Sequence, residues 1–241
     1  MRALLLLSIT LLAAPVQAGP APTAQSLLEQ HAQALGPIGP IQSRRIHMRI
    51  VGMAPFDIPL MIEARRPNLI RKEVTLQDKV QVTAFDGKQA WKTDPFVAGG
   101  ATPSRPPAEE ERPLLTEADF DGALIQPAAK GIKVAYLGPA VVDGKAMQTL
   151  RLTQPNGDDA TVWLDTSSML EYKRTQLGPV MGQMKPLDIF TSDYRVIDGV
   201  RVPHRIDIGL SGSKERMSIL VDKVEFNARI DGARFAKPAT K

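Results

Sequence analysis

Apolar and polar residues alternate with a period of two through most of the chain. In RIHMRIVG, Ile46, Met48 and Ile50 alternate with charged or polar residues, and in DIPLMIEAR, Leu60 and Ile62 share one side. A strand turns successive side chains to opposite faces, so this pattern predicts half-buried antiparallel strands. Strands are predicted on this basis at 46–50, 58–62, 80–84, 88–92, 132–137, 146–153, 161–165, 169–175, 190–197, 200–210 and 217–226.

Turn-forming residues separate these strands. Asp86-Gly87, Asp143-Gly144 and Asp198-Gly199 are dipeptides that favour short hairpin turns. Strands joined by successive hairpins form a meander, which must curl into a barrel or stack into a sandwich to bury its apolar face. The sequence therefore predicts a mainly β protein.

Two stretches break the alternation. From Thr23 to Leu35 apolar residues recur at helical spacing, with Thr23 or Ser26 placed to cap the first turn, so an amphipathic helix is predicted there. Residues 94–113 contain five prolines and the glutamates at 109–111, read as a solvated charge run; this stretch is predicted to be a loop that serves as a lid, docks a partner or is disordered. A short helix is predicted from Thr116 to about residue 125.

The first 18 residues have the features of a secretory signal peptide. Arg2 precedes an apolar run, and small residues stand at Val16 and Ala18 before the expected cleavage position. We therefore expect residues 1–18 to be removed and residues 19–241 to form a single exported, soluble domain. A Gram-negative periplasm is the expected location.

The composition excludes several classes of protein. The chain has no cysteine, which excludes disulfides, thiolate metal sites, a cysteine nucleophile and an N-terminal lipid anchor. Its formal net charge is +4, but Lys and Arg alternate with Asp and Glu instead of forming a basic stripe. No nucleic-acid partner is expected.

The sequence carries no signature of catalysis or cofactor binding. It contains no G-x-S-x-G, H-E-x-x-H, phosphate-loop or G-x-G-x-x-G motif. The three histidines, His31, His47 and His204, are too isolated for their spacing to indicate a metal site, and Asp158-Asp159 fits a turn. We expect no enzymatic activity, no metal and no cofactor.

His204 lies inside the stretch SDYRVIDGVRVPHRI (residues 192–206), on the side shared with Val202 and Ile206. We interpret it as a core histidine with a satisfied ring nitrogen, and a polar contact to a ligand head group is the functional alternative. Pro203 cannot donate a ladder hydrogen bond, so its strand is expected to be an edge strand or to be bulged there.

The apolar side of the predicted sheet is large compared with the two short helices available to cover it. The sheet either packs on itself completely or leaves an apolar cavity, which would suit an acyl chain. The residues predicted to line that cavity are Ile46, Met48, Ile50, Leu60, Ile62, Val82, Leu150, Leu152, His204, Ile206 and Ile208.

Four segments carry a resemblance to a known family: VTAFDGKQAWKTDPF (82–96), VVDGKAMQTLRLTQPNGDDATVWLD (141–165), SDYRVIDGVRVPHRI (192–206) and VEFNARIDGARFAKP (224–238). Together with the N-terminal features they resemble the exported outer-membrane lipoprotein-sorting family, to which the carriers LolA and LolB belong. The resemblance implies a half-open antiparallel β-barrel of about eleven strands around a short α-helical lid, with a hydrophobic cavity for acyl chains. In these carriers an arginine near the start of the barrel latches the lid, and Arg44, Arg45 and Arg49 lie in the comparable region.

Two functions are consistent with this reading. The leading hypothesis is a periplasmic, non-enzymatic carrier or binding protein that holds the acyl chains of a lipoprotein or other lipid and moves it towards the outer membrane. Its expected partners are the acylated cargo, an inner-membrane export complex and an outer-membrane acceptor. The alternative is a periplasmic regulatory or structural interaction protein on the same fold, with the cavity filled by its own side chains and the 94–113 loop docking a partner.

Overall fold

The computed structural model describes residues 21–239 as one antiparallel sheet of twelve strands with two α-helices. The helices are α1 (Ala24–Leu35) and α2 (Ala108–Glu117). The strands are β1 (Ser43–Val51), β2 (Ile58–Arg65), β3 (Leu69–Leu76), β4 (Lys79–Phe85), β5 (Ala90–Thr93), β6 (Lys133–Val142), β7 (Lys145–Thr153), β8 (Asp159–Asp165), β9 (Glu171–Val180), β10 (Gln183–Ile197), β11 (Val200–Leu210) and β12 (Met217–Phe226).

The sheet is open, and its strand order is β5-β4-β3-β2-β1-β12-β11-β10-β9-β8-β7-β6. Every neighbouring pair except β1–β12 is consecutive in sequence, as a meander of hairpins requires. The predicted mainly β, half-open architecture is confirmed. The predicted signal peptide, residues 1–18, lies outside the described residues.

Strand β3 is the strand that the sequence reading missed. Its sequence, LIRKEVTL, places Arg71 and Glu73 on one face and Lys72 on the other, so charges on both faces hide the period of two. All three charges are paired in the fold: Arg71 with Glu73 at 2.6 Å, and Lys72 with Glu117 of α2 at 2.6 Å. Both faces of β3 are covered by other elements, which is why neither face is purely apolar or purely polar.

Both helices pack on one side of the sheet, which we call the inner face. Leu27 and Leu28 of α1 pack among Leu150, Leu152 and Val162 of β7 and β8. At the other end of the sheet, Leu114 of α2 packs against Ile70 and Ala90. Neither helix is confined to one end of the sheet, because α2 also contacts β9 and α1 also contacts β6 and β11.

The ends of α1 are fixed by its sequence. Thr23 caps the helix as predicted, because its side chain accepts a hydrogen bond from the Ser26 amide while the Ser26 hydroxyl accepts one from the Thr23 amide. Gly36 ends it with φ of +95°, and a β-carbon there would lie 2.3 Å from the carbonyl oxygen of Gly199. Glycine at this position lets the end of α1 sit against the β10–β11 turn.

Helix α2 begins earlier than predicted. It occupies Ala108–Glu117 and so begins inside the segment predicted to be a loop, residues 94–113. The stretch expected to be helical from Thr116 is instead the end of α2 followed by turns. Glu109–Glu111 lie in the first turn, where carboxylates complement the positive end of the helix. Glu110 also pairs with Lys92 at 2.8 Å and Glu111 with Arg105 at 2.9 Å, so two members of the expected solvated charge run are engaged.

The opposite side of the sheet, the outer face, carries the end of the chain. Residues 227–239, which we call the C-terminal strap, cross strands β1 to β5. The Trp91 indole nitrogen donates to the carbonyl oxygen of Phe235 at 2.7 Å, and both side chains are buried. Glu63 is 1% exposed and is held by Arg45 at 2.8 Å and by Arg234 of the strap.

Within residues 21–239, neither helix is long and apolar enough to cross a bilayer.

Candidate functional site

An apolar cavity of about 450 Å³ lies on the inner face beneath the C-terminal end of α2. Its floor is formed by aliphatic side chains from strands on both sides of the β1–β12 pair. Its roof is the end of α2 and the turn that follows, Thr116 to Ala123. The aliphatic residues of the floor are Ile46, Met48, Leu60, Ile62, Ile70, Ile189, Ile206, Ile208 and Ile219.

Six of the residues predicted for the cavity wall line this space: Ile46, Met48, Leu60, Ile62, Ile206 and Ile208. Antiparallel register explains why they meet. Ile46 lies opposite Ile62 and Met48 opposite Leu60, while Ile206 is opposite Ile219 on β12. Ile50 shares the inner face and packs against this group, but it lies beyond the lining of the cavity.

Leu150 and Leu152 lie on the inner face but away from the cavity. Both are completely buried beneath Leu27 and Leu28, because α1 fills the part of the inner face formed by β6 to β8. Their place is in the packed core and not in the wall of the cavity.

Val82 faces the other side of the sheet. It lies opposite Glu73 on the outer face and is buried with Ala84 and Trp91 in a cluster beside the C-terminal strap. The alternation in β4 correctly predicts which side of the strand is buried. That side is on the outer face, where the strap covers it. The apolar side of this strand therefore does not point into the cavity.

His204 is buried, and its Nδ1 lies 2.9 Å from the carbonyl oxygen of Val202. It has the satisfied ring nitrogen expected of a core histidine and does not line the cavity. Strand β11 is interior to the sheet, but its register with β12 runs only over Arg205–Ile208. Pro203 therefore lies where β11 has no ladder partner on the β12 side among the described residues.

His31 of α1 is buried over the core, and its Nδ1 lies 2.8 Å from the carbonyl oxygen of Met169. Burial lowers the pKa of His31 below its usual value of 6.5, although the hydrogen bond to Met169 and the nearby Glu171 act in the opposite direction. The folded protein therefore binds a proton here less readily than the unfolded chain does.

We expect this histidine to make the protein less stable in acid. Below the unfolded pKa the unfolded chain takes up the proton first, so stability falls as pH drops below 6.5, by up to about 1.4 kcal/mol per pH unit. Urea unfolding from about pH 7 to about pH 5 measures this dependence. His31→Gln should flatten it; equal slopes in His31→Gln and the unchanged protein would contradict the assignment.

Charged side chains border the cavity, and the sequence reading did not identify them as a group. Each carboxylate in the lining forms a salt bridge with a lysine or arginine side chain. The pairs are Glu117 with Lys72 at 2.6 Å, Asp119 with Lys130 at 2.7 Å, Asp121 with Arg66 at 2.5 Å and Glu171 with Arg174 at 2.7 Å. Lys72–Glu117 and Arg66–Asp121 join residues 45 and 55 positions apart, so no local motif reveals these two pairs.

Arg44 is also in the lining, and it differs from these pairs. Its Nε is buried without a hydrogen-bond partner in residues 21–239, and its guanidinium carbon lies 4.7 Å from the centre of the Phe120 ring. Burial lowers the pKa of Arg44. Of the three arginines in the region of the family's latch, Arg45 and Arg49 lie on the outer face and are paired with carboxylates.

A second, smaller cavity of about 200 Å³ adjoins the first. It lies where β11 and β12 diverge, and its apolar lining includes Ile38, Ile41, Val202 and Phe226. The two cavities share four lining residues: Arg44, Ile46, Phe120 and Asp121. The guanidinium of Arg44 thus stands at the junction of two apolar spaces.

No protein-family model and no curated protein matches the sequence. Solved structures share its fold. A LolA superfamily protein from Nitrosomonas europaea matches with a TM-score of 0.61 at 16% identity, covering 90% of this chain and 99% of that one. An outer-membrane lipoprotein-sorting protein domain from Vibrio parahaemolyticus gives 0.58 at 12% identity, covering 89% and 97%. A DUF1329 family protein from Desulfovibrio piger gives 0.59 at 11% identity, covering 88% and 95%.

These matches confirm the resemblance seen in the sequence at the level of fold. The chain has a LolA-type fold, which is an open antiparallel sheet with two helices and an apolar cavity on its inner face. Fold alone does not assign a function, so the function rests on the cavity.

Proposed function

We propose that the protein is a periplasmic carrier or binding protein that holds the acyl chains of a lipoprotein or another lipid and moves it towards the outer membrane. The observation that carries this proposal is the cavity of about 450 Å³ with an aliphatic floor. Its volume is in the range of roughly 300–1,000 Å³ typical of ligand sites. Each methylene buried there contributes about 0.8 kcal/mol, so a long acyl chain would bind firmly and still be releasable.

Other features support the same proposal. The fold is that of a LolA superfamily protein and of a domain described as belonging to an outer-membrane lipoprotein-sorting protein. The predicted signal peptide at 1–18 would deliver the chain to the periplasm. The role we propose is non-enzymatic, with an inner-membrane export complex and an outer-membrane acceptor as its further partners.

The decisive experiment is to purify the protein from a periplasmic extract, extract it with organic solvent and identify lipids by mass spectrometry. We expect an acylated compound in a molar amount comparable to that of the protein. A periplasmic protein of similar size without an apolar cavity, purified in parallel, is the control. No lipid above that control, together with no uptake of a fluorescent fatty acid by the delipidated protein, would contradict the proposal.

The alternative, a regulatory or structural interaction protein, is favoured by one observation. The loop after β5 exposes two large apolar side chains, Phe96 (43% exposed) and Val97 (56% exposed), as a docking surface would. That alternative required a cavity filled by the protein's own side chains, whereas about 450 Å³ is open. Lipid-free protein in the extraction experiment would favour it.

A further inference from the structure

The cavity of about 450 Å³ with the aliphatic floor, which we call the main cavity, has one cation more than carboxylates when the partners Arg66 and Lys130 are counted with its lining. Its four carboxylates, Glu117, Asp119, Asp121 and Glu171, are each paired with a cation within 2.7 Å. Arg44 is the cation left over among the described residues of the lining. Asp121, the carboxylate that acts most strongly on Arg44, has both carboxylate oxygens bound by Arg66.

The surroundings of Arg44 compensate its charge only in part, because the nearby carboxylates of Asp121, Asp119 and Glu117 are each bound by another cation. The guanidinium groups of Arg44 and Arg66 lie 4.7 and 4.6 Å from the centre of the same Phe120 ring, so Arg66 adds a second positive charge nearby. A cation–π contact offsets only part of the cost of taking a guanidinium out of water. A buried donor without an acceptor, such as the Arg44 Nε, is costly to maintain, so this guanidinium favours a ligand that brings acceptor oxygens.

We propose that Arg44 binds the anionic head group, a carboxylate or a phosphate, of an amphiphile whose acyl chain occupies the main cavity. This inference rests on the proposed function and specifies the class of its ligand. A guanidinium presents parallel N–H donors that match the oxygens of either anion. Because Arg44 stands at the junction of the two cavities, a head group bound there can carry one chain in the space above Ile206 and Ile208 and another beside Val202.

A neutral head group would leave the guanidinium unpaired, so the site should discriminate by charge. The matched probes are dodecanoate and dodecanamide, which differ in charge and hardly in shape, with dodecyl phosphate as the second anion. Affinities are measured by displacement of a neutral fluorescent dye from the delipidated protein. We expect dodecanoate and dodecyl phosphate to bind roughly 10- to 100-fold more tightly than dodecanamide, as charge-assisted hydrogen bonds allow.

Variants assign that preference to Arg44. Arg44→Gln should bind all three amphiphiles about equally, with its dodecanamide affinity within about threefold of the unchanged protein, and Arg44→Lys should keep part of the preference. Arg151→Gln removes one positive charge from an exposed position on β7 and is the control; it should behave like the unchanged protein. An unchanged dodecanamide affinity also shows that Arg44→Gln is folded.

The outcomes separate this inference from the proposed function. Equal affinity for dodecanoate and dodecanamide in the unchanged protein, or a preference that persists in Arg44→Gln, would overturn the role of Arg44 and leave the acyl-binding function standing. Failure of all three amphiphiles to bind would overturn the function itself. Acetate and inorganic phosphate test whether the anion is a lipid head group or a free anion. If they bind as tightly as the amphiphiles do, the ligand of Arg44 is a free anion and the proposal of a lipid head group is overturned.

Discussion

Ile208→Glu is expected to weaken the binding of acyl ligands by on the order of 100-fold or more while leaving the sheet intact. Ile208 is half-buried in the floor of the main cavity and lies opposite Ile189 on β10 and Met217 on β12. A carboxylate there would have to lose its hydration when an acyl chain enters, at a cost of several kcal/mol. Because the side chain faces open space and not packed core, it can stay hydrated in the empty protein.

Uptake of a fluorescent fatty acid by delipidated protein measures this effect, with circular dichroism as the check on folding. Val196→Glu is the control, since Val196 lies near the end of β10, is 62% exposed and lines neither cavity. Leu152→Glu would be uninformative about ligands, because it would place a charge in the core beneath α1. Wild-type affinity in a folded Ile208→Glu protein would exclude this cavity as the binding site.

Phe235→Ala is expected to lower the free energy of unfolding by about 3–5 kcal/mol, as loss of a buried phenyl ring usually does. Phe235 is 1% exposed, and its carbonyl oxygen accepts the hydrogen bond from the Trp91 indole. Without the ring, the C-terminal strap would lose the more deeply buried of its two buried apolar side chains, the other being Ile230. Urea unfolding followed by tryptophan fluorescence measures the change.

The strap and the cavity lie on opposite faces, so the Phe235→Ala protein should bind acyl ligands normally where it remains folded. Lys237→Ala, an exposed change in the same strap, is the control and should alter stability by less than about 0.5 kcal/mol. Equal stabilities of the Phe235→Ala and Lys237→Ala proteins would show that the strap does not hold the sheet.

Much of this architecture could be predicted from the sequence because it is encoded locally. Alternation and turn dipeptides such as Asp143-Gly144 identify hairpins, and in this fold almost every strand pairs with its neighbour in sequence. The predictions are wrong where a helix or the C-terminal strap packs on the sheet. Strand β3 is charged on both faces because α2 covers one and the strap the other, and α2 is helical despite Pro113 because its glutamates and Leu114 stabilise it.

The cavity was predictable only in part. Alternation tells which side of a strand is apolar, but not what covers that side. Met48 and Ile206 line the cavity, whereas Leu152 is covered by α1 and Val82 by the strap, although all four have the same appearance in sequence. The unpaired state of Arg44 could not be predicted at all, since it depends on Arg66 binding Asp121 across 55 positions of the chain.

Because β11 and β12 pair over only a short stretch, we expect the sheet to separate most easily between these two strands. Strand β12 pairs with residues Arg44–Val51 of β1, but with only residues Arg205–Ile208 of β11. The floor of the cavity includes Met48 and Leu60 on the β12 side of this boundary and Ile189 and Ile208 on the β11 side. Transient opening there would widen the cavity without unfolding either half, so the few backbone hydrogen bonds that join β11 to β12 would contribute to the barrier that a guest crosses on entering or leaving.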